Sequence, residues 1–232
     1  MTGAMGGTTG GLTGATLAAL NTVHDPELDE PITTLGFVTE VACTGTHVLV
    51  RLRLPTYFCA PNFAYLMAAD AHDAVRQVPG VASLEIRLED HFAATEINAG
   101  VAAQSGFAGA FPGLATDELA QLRDTFRRKA YLAALERLCR TLPQTAPDLA
   151  TLTLADIPPS PQHTALLHRR KALGLTTAPH SPLLLDEHGA PLPPDRLRFA
   201  QAVRVSIDGN AGLCRGLLTT RYGVAEPAAT GP

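Results

Sequence analysis

The sequence has no tryptophan, and only 5% of its 232 residues are aromatic. Stacking platforms for single-stranded nucleic acid are therefore not expected. Charge points the same way: 18 Lys and Arg against 22 Asp and Glu give a net −4, the wrong sign for a phosphate-binding surface. The short basic runs Arg127–Lys129 and Arg169–Lys171 read as solvated helix faces. No apolar run approaches the ~18 residues that a membrane span requires, so no membrane partner is expected. There is no C-x-x-C and no H-x-x-x-H, which excludes the usual local zinc or iron–sulfur sites. Phosphate loops, dinucleotide fingerprints and G-x-S-x-G elbows are missing too.

The opening MTGAMGGTTGGLTG has neither a positive n-region nor an apolar h-region. It does not read as a secretory signal, and its Gly/Thr content predicts a disordered lead-in over 1–11. A cytoplasmic protein is expected. Its four widely separated cysteines, Cys43, Cys59, Cys139 and Cys214, are then expected to be reduced.

Hydrophobic residues make up 46% of the chain, enough for a core. Leu17, Leu20 and Val23 lie at i, i+3 and i+6, which predicts a short helix over 12–23, stopped by Pro26. DPELDEPITTLG reads as a turn-rich connection. A strand is expected over 37–43, then a tight turn at Thr44-Gly45. The next strand, 47–54, alternates most clearly: Val48, Val50, Leu52 and Leu54 share one face. Pro61 suits the first position of a helix, and Phe63, Leu66, Met67, Ala71, Ala74, Val75 and Val78 form its apolar stripe until Pro79-Gly80. A third strand covers 81–88. The first two strands form an antiparallel hairpin, and the helical crossover lays the third parallel to a neighbour. The fold class expected is α+β: a small two-layer domain over 12–98 with a three-stranded mixed sheet and helices on one face.

Residues 99–115 are Gly/Ala-rich without clear period and read as a linker. Thr116 resembles an N-cap for a helix to about Thr141. Beyond Pro143 the chain is proline-rich, with a short helix near 163–173, a strand and turn in LLLDEHGAPL, a strand over 202–207 and a turn at 208–210. The region 116–232 is thus expected to be mostly helical and irregular.

Cys59 stands out because it falls between a strand and a helix. A helix N-terminus carries unpaired N–H groups and partial positive charge, which stabilise a thiolate. The thiolate is both nucleophile and soft-metal ligand. The competing reading is a small buried hydrophobe. Asp25 and Glu27 flank Pro26, where carboxylates can hold iron or simply cap a turn. His24, His91 and Cys214 are further candidate ligands. Cys43 and Cys139 fall in strand and helix patterns and read as structural.

Taken together, DPEL after the first helix, LG before the first strand, and a cysteine between the second strand and a helix resemble the PaaD/SufT-like iron–sulfur assembly domain. The resemblance covers about 12–98. It matches Asp25, Pro26 and Glu27 to the DPE motif, Leu35 and Gly36 to the LG motif, and Cys59 to the reactive cysteine. The chain departs from the pattern in three places. Pro55 stands where the family carries a threonine, with Thr56 next. Ala60 stands where it carries a proline, with Pro61 next. His91-Phe92 lies near the position of a family tryptophan. The resemblance implies a non-enzymatic factor that binds iron or an iron–sulfur cluster transiently through Cys59, with Asp25 or Glu27, and matures a client metalloprotein. Clusters usually take four thiolates, so other ligands must come from the client, a small thiol or a second subunit in a homodimer. An oxygenase component is the implied client, the assembly machinery the implied donor, and the C-terminal region the client-docking part. The alternative is a metal-free adaptor bridging such partners; a cysteine-dependent enzyme is a third reading.

Overall fold

The structure is a computed structural model that describes residues 7–112, 118–143 and 146–223. The chain forms two compact units: one from Met1–Leu119 with Ala211–Pro232, the other from Ala120–Asn210. These divide the chain at other places than the expected 12–98 and 116–232, because the end of the last helix belongs with the first unit.

The first unit begins with α1 (Gly7–Leu20). Residues 7–11 of the expected lead-in are therefore helical, while 1–6 lie outside the described residues. Each residue added to an existing helix gains a hydrogen bond without a new nucleus, so a packed 12–20 segment propagates into poor helix formers. Leu20 and Val23 are buried as expected, but Leu17 is exposed.

Three strands follow: β1 (Val38–Thr44), β2 (His47–Arg53) and β3 (Ser83–Glu89). Their order is β1-β2-β3, with β1 antiparallel and β3 parallel to the central β2. Gly45 turns the hairpin at φ +62°, a conformation that costs glycine little. Val48, Val50, Leu52, Ile86 and Leu88 face the core. Arg51 and Arg53 on the other face pair with Glu40 and Glu89. Between β2 and β3 runs α2 (Pro61–Arg76), with Pro61 in its first turn. It packs Ala64, Met67, Ala68, Ala71 and Val75 into the core. The α+β architecture is the one expected.

The expected linker holds two helices instead, α3 (Ala94–Ala102) and α4 (Gly106–Ala110); its residues 113–115 lie outside the described residues. Its period is carried by Ile97 and Val101, both buried and one turn apart. Gly100 allows the two helices to touch: a Cβ there would sit 2.4 Å from that of Ala110. Small residues served close packing, not flexibility.

The second unit contains most of α5 (Glu118–Cys139), with α6 (Ala146–Leu149), α7 (Pro161–Ala172) and the first half of α8 (Leu197–Tyr222). The proposed N-cap Thr116 lies outside the described residues. Ser160 caps α7, accepting from the His163 N–H at 3.1 Å, and Gly174 ends it at φ +70°. The expected strand at 202–207 and turn at 208–210 are instead continuous helix. Ala200, Ile207, Ala211 and Leu218 are buried at helical spacing, and Asp208 pairs with Arg204 one turn away and with Arg137. Tertiary packing overrides the β-like alternation of VRVSI.

One basic run is not a solvated face throughout. Arg170 is 0% exposed. Its guanidinium donates to the carbonyls of Leu183 at 2.7 Å and Pro182 at 2.8 Å and to the Ser181 hydroxyl at 3.1 Å. It holds the loop after α7 from inside.

Candidate functional site

The segment 24–36 looks like a connection in sequence but is built on core residues. Leu28, Ile32 and Leu35 are buried. Asp25, only 7% exposed, folds the DPEL turn: its Oδ1 accepts the backbone N–H groups of Glu27 and Leu28, each at 2.8 Å. This is the local cap that Asp before Pro favours. Burial pushes the Asp25 carboxyl up to about 6; the two backbone bonds pull it back, and the charges of Glu27 and Glu30 add to the rise. Gly36 sits at φ +77°, so the LG motif is a core anchor followed by a left-handed turn that favours glycine.

Cys59 lies in the loop between β2 and α2, two residues before the helix begins, and is half-buried. The Thr56 hydroxyl is 3.3 Å from its sulfur. A hydroxyl therefore reaches the thiol although Pro55 occupies the position where the family carries threonine. His91 locks the same loop. Its Nδ1 accepts the Ala93 N–H at 3.1 Å, which assigns the proton to Nε2, and Nε2 donates to the Cys59 carbonyl at 2.7 Å. Both ring nitrogens are thus engaged, and His91 positions the cysteine rather than presenting a free ligand nitrogen. His24 is turned to its own backbone, with Nδ1 3.1 Å from the Thr22 carbonyl.

Cys214 is brought to the core of the first unit from far along the chain. It lies on α8 in the part that belongs to the first unit and packs against the same core as Cys59. Burial pushes its thiol up to about 11, and negative charge on Asp25, Cys59 and Glu27 pushes the same way against the pull of Arg215. Cys43, by contrast, accepts the Thr13 hydroxyl at 3.4 Å. Cys139 is buried in the second unit, its thiol pushed up to about 12 by burial and by the charge of Glu136. Among the described residues, no three His, Cys, Asp or Glu side chains form a ready metal site.

Sequence reasoning missed the surroundings of the thiol. Tyr57, Phe58 and Phe92 are 45%, 77% and 48% exposed. Their ring centroids lie 5.0–6.3 Å apart, and Phe92 stacks on His91 at 4.9 Å. The Phe92 N–H bonds the Tyr57 carbonyl at 3.1 Å, tying the two loops together. The signal was the triplet Tyr57-Phe58-Cys59 itself: two large apolar residues in a polar-turn position.

Fold and site define a class: a small α+β domain that presents a half-buried thiol and a hydroxyl beside an exposed aromatic cluster. Residues 15–88 match the model of the family described as iron-sulfur cluster assembly protein. The N-terminal part of the chain is thus an iron–sulfur cluster assembly domain, and its general role is in that process. No curated protein matches the chain. Among the described residues, no helix is long and apolar enough to cross a membrane.

Proposed function

We propose that the protein receives iron or an iron–sulfur cluster at Cys59 and delivers it to a client metalloprotein, acting as a maturation factor rather than a turnover enzyme. The observation that carries this reading is the Cys59 loop. Cys59 is half-buried, its sulfur lies 3.3 Å from one hydroxyl and its backbone carbonyl is held by His91, within a domain of the assembly family. A thiolate binds iron firmly, but a cluster usually needs four. A site that supplies few ligands holds its cargo only until a better set arrives. Asp25 or Glu27 supplies oxygen to the iron, and the cytoplasmic assembly machinery supplies the cargo. The client is an oxygenase component of the kind that PaaD/SufT-like proteins accompany, recognised by the C-terminal region.

Anaerobic reconstitution of the full chain with iron and sulfide tests this. Wild type should develop iron-dependent visible absorption and pass it to an apo iron–sulfur acceptor; Cys59→Ala should do neither. No absorption and no transfer with either protein would overturn the reading. A metal-free adaptor is the second reading, and the exposed aromatic rim favours it. In that case client maturation in cells survives Cys59→Ala and is lost on Phe58→Ala.

A further inference from the structure

β3 is an edge of the sheet, paired only with β2. An edge strand leaves a row of N–H and C=O groups that proteins usually cover or block. One end of this edge is blocked. The Asn98 carboxamide on α3 accepts the Leu88 N–H at 2.8 Å and donates to the Leu88 carbonyl at 3.0 Å, as a neighbouring strand would. Alternate residues of a parallel strand turn both groups the same way. Leu84 therefore also directs its N–H and C=O away from β2, while the Ser83 N–H points back to the Thr46 carbonyl at 3.4 Å. Among the described residues, nothing bonds the outward groups of Leu84. Leu84 instead lines a cavity of about 300 Å³. Its other walls are Ala102 and Gln104 at the end of α3 and His72 and Arg76 on α2, and no acidic side chain lines it. Arg76 stands in the last turn of α2, where positive charge offsets the helix dipole. Among the described residues it meets no carboxylate and no other partner.

We propose that this groove docks an extended segment of a partner protein that carries an acidic side chain. The segment adds to the start of β3 as a short fourth strand. Its backbone supplies the acceptor and the donor that Leu84 lacks, and its carboxylate pairs with Arg76. The chemistry selects this occupant. A helix has spent its backbone groups on itself and has none for the edge. A basic segment sets like charge against Arg76. A second copy laid edge to edge brings another Arg76 and no acid from its own groove. Asn98 stops the added strand before Leu88. The groove also lies away from the thiol. β2 and β3 run parallel, and the Cys59 loop follows the end of β2 while the groove is at the start of β3. A seven-residue strand separates the two, roughly 20 Å at about 3.3 Å per residue. A partner held here leaves the Cys59 loop uncovered, so the proposal goes beyond the delivery reading and does not depend on it.

The test is an amide NMR titration of the full, isotope-labelled chain. The probe is an acetylated, amidated heptapeptide of alternating threonine and valine with a central glutamate. It should shift the Leu84 amide and slow its hydrogen exchange, and leave the exchange of Leu88, already held by Asn98, unchanged. A central glutamine in the peptide, or Arg76→Gln in the protein, should each weaken binding about threefold, the worth of an exposed ion pair. The same peptide N-methylated along its backbone should not bind, because it offers the edge no donor; this arm uses unsubstituted protein and so is independent of whether a variant folds. Four results would each overturn the proposal. The Leu84 amide is unmoved at millimolar peptide. The N-methylated peptide binds as well as its parent. Acetate alone gives the same shifts at the same concentration, which makes the groove an anion site only. Leu84 is protected without peptide and more so at higher protein concentration, which gives the edge to a second copy. The reconstitution with iron and sulfide decides the delivery reading separately.

Discussion

Each unit of this protein fixes a loop with one buried ionisable side chain, and the two do so to different ends. In the second unit Arg170 is enclosed, and its bonds go to backbone carbonyls and a hydroxyl of the loop it secures. In the first unit Asp25 folds the DPEL turn through two backbone N–H groups, but its charge also bears on a nearby thiol. A buried charge with all its neighbours neutral is a structural rivet. One whose charge raises the pKa of a thiol is a candidate for chemistry. The same local device thus reads as architecture or as candidate chemistry according to which groups feel its charge.

The sharpest way to break this contrast is Arg170→Met. It leaves several buried acceptors without a donor, and we expect about 3–5 kcal/mol of destabilisation, read by urea unfolding and by faster hydrogen exchange over 176–183. A loss below about 1 kcal/mol would show that the loop holds itself. Next comes His91→Phe, which keeps ring bulk and removes both bonds that link the Cys59 carbonyl to Ala93. We expect about 2 kcal/mol lost and faster alkylation of Cys59. An unchanged alkylation rate would mean that the loop is fixed by other contacts.

Asp25 tests the other side of the comparison. Its carboxyl titrates near 6, above the ordinary 3.8, so folding favours the protonated form. The stability it contributes is complete below about pH 4 and is lost as the pH rises through about 6, by about 3 kcal/mol for two pH units. Asp25→Asn keeps an oxygen acceptor and removes the charge. It should be about 1–2 kcal/mol more stable than wild type at pH 8, with a flatter profile through the acid range. A variant less stable than wild type at pH 8 would show that the ionised carboxylate is favoured where it sits. The smallest effect belongs to Asp208, half-exposed between Arg137 at 2.6 Å and Arg204 at 2.7 Å. Asp208→Asn should cost about 0.5 kcal/mol, and high salt should erase the difference; a larger, salt-insensitive loss would make Asp208 part of the core.

Much of the first unit was legible. The alternation Val48, Val50, Leu52, Leu54 gave β2, Pro61 gave the start of α2, and the crossover gave the parallel β3, because each signal acts within a few residues. Residues 94–110 were not legible as helices, since their close approach depends on Gly100 meeting Ala110. Residues 202–210 misled because Asp-Gly-Asn favours a turn until Arg137 and Arg204 engage Asp208. Arg170 gave no sign of burial, because its partners are carbonyls, which every residue has. For the candidate site, Cys59, Asp25 and Glu27 stand out in the sequence by position and motif. That α8 returns Cys214 to the core of the first unit depends on where that helix ends in space, which no local pattern encodes.

The ring cluster of Tyr57, Phe58 and Phe92 has one more consequence. A partner that lands on those rings squeezes solvent away from the neighbouring sulfur. If the proposed delivery holds, the handover would take place under a hydrocarbon roof supplied jointly by two proteins, where dioxygen and stray chelators have little access. Such a donor would need no deep cavity of its own, because the shelter would exist only while the encounter lasts.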